Sequence, residues 1–435
     1  MRERECAMNI IFVALILIAF ATAAIRQILW SGDGKAPMEA LAGGMISAAG
    51  DAVTLSIGLI GVMALFLGLM KVIEAGGALR LLSRLLRPLM VRLFPSVPAD
   101  HPAMGAMILN LSANLLGLGN AATPFGIRAM QELDTLNPRK GTATDAMVLF
   151  LAINTSSITI LPTTVIALRA AAGSADPAGI VATTIFATVC ATIIAIAASI
   201  LLARLFPAVP GAADAASAAE KPSASSFDAT LTDTRAAPVW ASVLTLAALL
   251  ALVPAMLVFG KAMTVWIVPV VAAAFVLFGL VRGVPVYEAF VEGAKDAFDV
   301  AVRIIPYLVA ILVAIGMFRT SGAMDLFIQP LGRITTVFGL PPEALSMAIL
   351  RSLSGSGAYG YLASLLQDPS VGPDSYLGYL VSTIQGSSET TFYVLAVYFG
   401  AVGVRRMRHA LAVGLIGDAA GAIMSVIACA VLFAL

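Results

Sequence analysis

This sequence predicts an all-α polytopic membrane protein, with about nine transmembrane helices and two re-entrant helical hairpins set in two inverted repeats. Three observations predict it. Hydrophobic residues make up 60% of the chain and charged residues 12%, with a mean hydropathy of +0.97, whereas a soluble domain is about one quarter charged. Arginine and lysine gather in segments that alternate between the two sides of a bilayer. A carboxamide-x-Ser-Ser motif also occurs once in each half, as Asn154-Thr155-Ser156-Ser157 and Gln385-Gly386-Ser387-Ser388. Each follows a Gly-interrupted apolar stretch, Gly117-Leu118-Gly119-Asn120 or Ser354-Gly355-Ser356-Gly357. Matched, Gly-broken segments in two halves point to a solute site near the bilayer midplane.

The first element is an apolar run that continues to Trp30. Arg2 and Arg4 before it, and Ala21-Thr22-Ala23 within it, imitate a signal peptide. Glu3 and Glu5 cancel that basic region, so a retained first helix with a cytoplasmic N-terminus is expected. A helix needs about 20 apolar residues to span, which gives 9–30, 51–71, 145–168, 179–205, 239–260, 263–282, 297–317, 376–400 and 409–433. The stretches 103–127 and 344–366 are broken by glycines and polar groups and read as hairpins, tolerated at membrane depth where protein or a cavity covers them.

Sidedness follows from charge. The segment 76–94 sets Arg80, Arg84, Arg87 and Arg92 among leucines, an amphipathic helix on the cytoplasmic surface. Arg128, Arg139 and Lys140 return the first hairpin to that side, and 169–178 suits the outside. The Ala/Ser/Pro-rich segment 206–238 reads as a flexible cytoplasmic linker between halves 1–205 and 239–435. In the second half, 320–343 and the acidic loop 367–374 read as external, and Arg405, Arg406 and Arg408 as cytoplasmic. The order of signals is the same in both halves, from Asp51-Ala52 and Asp296-Ala297 through Gly77-Ala78 and Gly322-Ala323, while the sides are exchanged. Inverted repeats of about 51–168 and 296–400 satisfy both facts.

The candidate substrate-binding residues are the polar groups inside these segments. In the first half they are Asn110, Asn114, Asn120, Thr123, Asn154, Ser156 and Ser157. In the second they are Arg351, Ser354, Ser356, Gln385, Ser387, Ser388, Glu389 and Thr390. Amides offer donors and acceptors to a solute, but the same groups also serve as glue between membrane helices. Glu389 and Asp418 are candidates for ion or proton coupling, because a charge at a helix centre costs about 2.5–3.5 kcal/mol and so faces a cavity or a partner. An ion pair of Arg351 with either is the structural alternative.

Other chemistry finds no support. There is no phosphate-binding loop, no H-E-x-x-H and no catalytic triad, so no enzyme is expected. The cysteines, Cys6, Cys190 and Cys429, lack ligand spacing, and His101 and His409 lie far apart, so neither metal nor cofactor is expected. A net charge of +1 argues for no nucleic acid. The expected partners are the lipid bilayer and a small polar solute, with room for a homo-oligomer.

The first half resembles spore maturation protein A, through His101-Pro102-Ala103, the run Asn114 to Pro124 and Asn154-Thr155-Ser156-Ser157. The second half resembles spore maturation protein B, through Arg351 to Ser356 and the run Gln385 to Gly400. The chain thus looks like a fusion of the two, joined at 206–238. That family is grouped with nucleoside recognition, or gate, domains, which are distantly similar to parts of concentrative nucleoside transporters and of ferrous iron transporter B. The resemblance implies an inner-membrane protein with two gate-like repeats that passes a small solute, or a non-transporting scaffold for spore or envelope maturation.

Overall fold

The computed structural model describes residues 2–206 and 268–434, apart from 33, 117–118 and most of 324–333, together with isolated positions 240 and 266. The linker 206–238 and the span 239–260 therefore lie outside the described residues, almost entirely. Every regular element described is helical, apart from one isolated bridge between Thr142 and Arg406.

The first half runs through α1 (Arg2–Ile28), α2 (Pro37–Ala75), α3 (Ala78–Leu93), α4 (Pro102–Leu115), α5 (Gly119–Thr135), α6 (Asp145–Thr155), α7 (Thr163–Ala171) and α8 (Ile180–Leu205). The second contains α9 (Val268–Val281), α10 (Val286–Thr320), α11 (Pro342–Leu353), α12 (Gly355–Gln367), α13 (Tyr376–Ser387), α14 (Thr391–Ala401) and α15 (Ala410–Ala434). Among the described residues, α2, α8 and α15 are long and apolar enough to cross a membrane. The expected amphipathic helix is α3, with Ala78, Ser83 and Met90 buried and its arginines on the outer side.

The long helices α2 and α10 lie antiparallel. Gly44 faces Thr320, Gly316 faces Ala48, Gly68 faces Phe290 and Gly293 faces Lys71. Glycine at these points lets two backbones approach, the usual way membrane helices pack without a hydrophobic driving force. The contacts are reciprocal, because Lys71 and Gly316, like Ala48 and Gly293, stand as far apart in sequence as Asp51 and Asp296. The helix ends match too. Arg282 Nε donates to the Gly76 carbonyl at the end of α2 (2.8 Å), and Arg26 Nη1 to the Ser321 carbonyl at the end of α10 (2.9 Å). Each cation meets the negative end of a helix.

Two expected spans are corrected. Segment 145–168 is two short helices, α6 and α7, separated by residues 156–162, and 376–400 is α13 and α14, separated at 388–390. The cause lies in the motifs themselves. Ser156 turns its hydroxyl back to the Ala152 carbonyl (2.7 Å), and Pro162 cannot continue a helical ladder. Ser387 Oγ likewise donates to the Ile384 carbonyl (2.9 Å), after which Ser388 is extended.

The two largest hydrophobic clusters among the described residues each mix the halves. One joins Val165, Ile180 and Ile185 to Tyr361, Leu362, Leu380 and Ile384. The other joins Met104, Met107, Met130 and Phe150 to Leu395, Phe399 and Val413.

Candidate functional site

The two helix breaks meet. The Glu389 main-chain N–H donates to the Thr155 carbonyl at 2.7 Å. Gly386 lies against Pro162 and Thr184, and Gly417 against Ser156 and Ala195. Thr192, near the middle of α8, donates its hydroxyl to the Ser156 carbonyl. Ser387 packs on Gly421, near the middle of α15. The junction therefore sits half-way along two helices of membrane-spanning length.

On the first-half side, the amides form a chain. Asn114 Nδ2 donates to Asn154 Oδ1 (3.0 Å), and Asn154 Nδ2 donates to the Phe150 carbonyl (2.9 Å). Tyr398 Oη donates to Asn154 Oδ1 (3.4 Å) and accepts from Asn110 Nδ2 (3.3 Å), which also donates to the Ala122 carbonyl (2.7 Å). The Tyr398 ring stacks on Phe150, and Gly126 leaves the space its hydroxyl needs. Ser157 is buried and Thr123 half-buried. Sequence reading missed Tyr398, a large aromatic in an apolar run that looks like packing until its fold partners are known.

On the second-half side, Arg351 is the organiser. It is 7% exposed, donates Nη1 to Thr390 Oγ1 (3.0 Å) and Nη2 to the Ser388 carbonyl, and pairs with Glu389 at 3.4 Å. It thus ties the strand-like break to α11. The Glu389 side chain is 51% exposed, so the charge opens onto space beside the break and is not sealed in the pair. Ser354 caps α12 by accepting from the Gly357 N–H (3.0 Å). Several buried atoms have no hydrogen-bond partner among the described residues: Asn110 Oδ1, Gln385 Oε1, Thr391 Oγ1, and both carboxylate oxygens of Asp418. The side chains of Asn120 and Ser356 lie outside the described residues.

The junction is bounded at each end by contacts between the halves. Just before α8, Arg169 in the last turn of α7 is wholly buried and donates to the Pro373 carbonyl (2.6 Å), to Asp374 (3.1 Å) and to Ser174 (3.2 Å), with its guanidinium over the Tyr379 ring. At the other end, Arg408 pairs with Asp145 (2.6 Å) and donates to the Phe206 carbonyl, while Ala143 N–H donates to the Arg406 carbonyl (3.0 Å). Asp374 lies just before α13 and Asp145 opens α6, so the two ion pairs are counterparts. The 26 residues of α8 set them roughly 39 Å apart.

Two core-sharing halves, broken helices meeting in mid-molecule and helices of bilayer length define a multi-pass membrane protein of the gate type. The chain belongs to the Gate, or nucleoside recognition, family, whose model matches residues 56–172 and 301–405, about half of its length. It is 46% identical over 180 residues to spore maturation protein A of Bacillus subtilis (strain 168), covering 41% of this chain and 87% of that protein. It is 45% identical over 166 residues to spore maturation protein B of the same organism, covering 38% of this chain and 92% of that protein. Two relatives each matching under half of this chain fit a fusion. No solved structure matches.

Proposed function

We propose that this protein passes a small polar solute across the inner membrane, bound where the two helix breaks meet. The observation that carries the reading is the Thr155–Glu389 junction, walled by Asn154 and Gln385 from equivalent positions and faced by the half-exposed Glu389 carboxylate. Helix ends and unwound backbone at mid-depth are what solute sites in inverted-repeat transporters are made of. In this reading 1–205 and 239–435 are the two halves, with a cytoplasmic N-terminus and about nine spans. The pairs α4/α5 and α11/α12 enter from opposite sides as re-entrant hairpins, and no catalytic step is assigned. The family's description makes nucleosides the first solutes to try. The test is uptake of radiolabelled nucleosides into proteoliposomes. Uptake lost in Asn154→Ala and Gln385→Ala, in protein that still folds and inserts, is expected. Absence of both uptake and binding across nucleosides and nucleobases sinks the nucleoside version.

A second reading is favoured by the ion pairs that close both ends of the junction. In it the protein is a rigid scaffold for spore or envelope maturation, in keeping with the names of the two relatives. Complementation of a deletion strain by variants that bind no solute favours this reading over transport.

A further inference from the structure

We infer that Asp418 and Thr391 form a binding site for one monovalent cation, an alkali metal ion or a proton, beside the junction. Asp418 lies within α15, is 9% exposed, and neither oxygen has a hydrogen-bond partner among the described residues. Thr391 is fully buried at the start of α14, and its hydroxyl is also without a partner. Gly414, one helical turn before Asp418, brings α15 close against Thr391, so both groups face the same gap. The hydroxyls of Thr391, Ser352 and Ser388 and the guanidinium of Arg351 are the polar groups within reach of the carboxylate.

Charge balance makes the case for a cation. Both Nη groups of Arg351 are committed to Thr390 and the Ser388 carbonyl, which it cannot leave without stranding a buried polar group, and the guanidinium pairs with the half-exposed Glu389. One cation, Arg351, against two carboxylates, Glu389 and Asp418, leaves the cluster with a net negative charge. An unpaired charge in a membrane interior is expensive, so it is neutralised by a proton or holds an ion. Apart from Arg351 Nε, the orphans around the gap are the oxygens of Thr391 and Asp418, hard ligands that suit an alkali ion. A divalent metal fits poorly, because the described residues hold no cluster of three His, Cys, Asp or Glu side chains. The counterpart helix α8 carries Ala187 at the position matching Asp418, so the carboxylate belongs to one half alone.

The inference takes its purpose, coupling, from the solute reading, but binding is measured without any flux. Detergent-purified full-length protein is melted in choline chloride and then with NaCl, LiCl or KCl replacing choline at constant ionic strength, at several pH values. A saturable rise in Tm with one alkali ion, lost in Asp418→Asn and shifted to several-fold higher concentration in Thr391→Ala, supports an alkali site. With no ion effect, a Tm that rises as pH falls in the wild type and is flat in Asp418→Asn supports a proton. A wild type insensitive to both, or a response unchanged in Asp418→Asn, overturns the proposal. Should Asp418→Asn not fold, an unaltered response in Thr391→Ala overturns it as well. A cation response in protein that transports no solute refutes the solute reading and leaves this one standing.

Discussion

The Glu389 main-chain N–H donates to the Thr155 carbonyl at 2.7 Å across the boundary between the two halves. Thr155 is the last residue of its half-helix, where carbonyls lose their partners, and Glu389 lies in the opposite break. Each half thus completes the other's interrupted backbone. Cysteines placed at 155 and 389, in a background without the native three, are within disulfide reach if their Cα atoms lie within about 7 Å. Mild oxidation followed by cleavage between residues 206 and 268 should leave one band on a non-reducing gel. Two separate bands would refute the junction.

Arg351 and Glu389 should not respond alike to mutation. Glu389 is half exposed, so Glu389→Gln should cost under about 1 kcal/mol of stability while abolishing solute binding. Arg351 is buried and holds the break through Ser388 and Thr390. Arg351→Met should lower stability by about 1–3 kcal/mol for each of the two buried acceptors it strands. Equal losses of Tm in the two variants would show that the pair is merely structural.

Gly126 leaves room for Tyr398. Gly126→Ala should push the ring off Phe150 and cost about 1–3 kcal/mol through overpacking. Tyr398→Phe keeps the stacking and removes only the hydroxyl that joins Asn110 to Asn154. If the amide chain positions a solute, Tyr398→Phe weakens binding more than it lowers Tm. A solute affinity unchanged in Tyr398→Phe removes the chain from the site.

The two terminal ion pairs should be unequal. Arg169 is fully buried beside a 41% exposed Asp374, and Arg408 lies beside a 61% exposed Asp145. Asp374→Asn should therefore lower Tm more than Asp145→Asn. It should also speed modification of Ala175→Cys by an impermeant thiol reagent, whereas Asp145→Asn leaves that rate unchanged. A rate that moves equally in both would mean that the ends open together.

Asp368 provides a pH-dependent contact in the loop before α13. Burial alone raises its carboxyl, but the Ser370 hydroxyl and amide, with Arg319, outweigh burial and hold it below its ordinary value. The unfolded chain then binds more protons, so this contribution is present above the ordinary carboxylate range, near about 4, and fades as pH falls through the lowered folded value. Asp368→Asn should lower Tm at pH 7, by a gap that narrows progressively as the pH falls below the ordinary carboxylate range. A constant gap across that range would mean that Asp368 contributes nothing electrostatic.

Periodicity and charge made the helical, membrane-embedded class legible, because 60% apolar residues leave few other solvents. The motifs Asn154 to Ser157 and Gln385 to Ser388 were legible as polar exceptions. Their consequence, a break in each helix, was not, because a 24-residue apolar run reads as a span unless backbone competition by Ser156 is given weight. Arg169 was read only as a loop charge, since its partners Pro373 and Asp374 lie about 200 positions away in sequence. Glu389 reads from the sequence as a helix-centre charge facing a cavity or a partner, and the fold places it half exposed in a helix break beside Arg351. Sequence separation hides contacts of this kind, whereas spacing along one helix does not.

The mixed cores bear on how such a molecule comes to exist. Val165 has Leu380 and Tyr361 in its cluster, and Met107 has Phe399, so neither half encloses an interior by itself. Two free polypeptides of this kind would be obligate partners, and any imbalance in their synthesis would leave an unfinished half for proteolysis. Tethering them in one chain fixes their ratio at one to one and replaces a search in the membrane plane with an intramolecular closure. Severed within the segment between residues 206 and 268 and expressed as two pieces, the halves should accumulate only when made together.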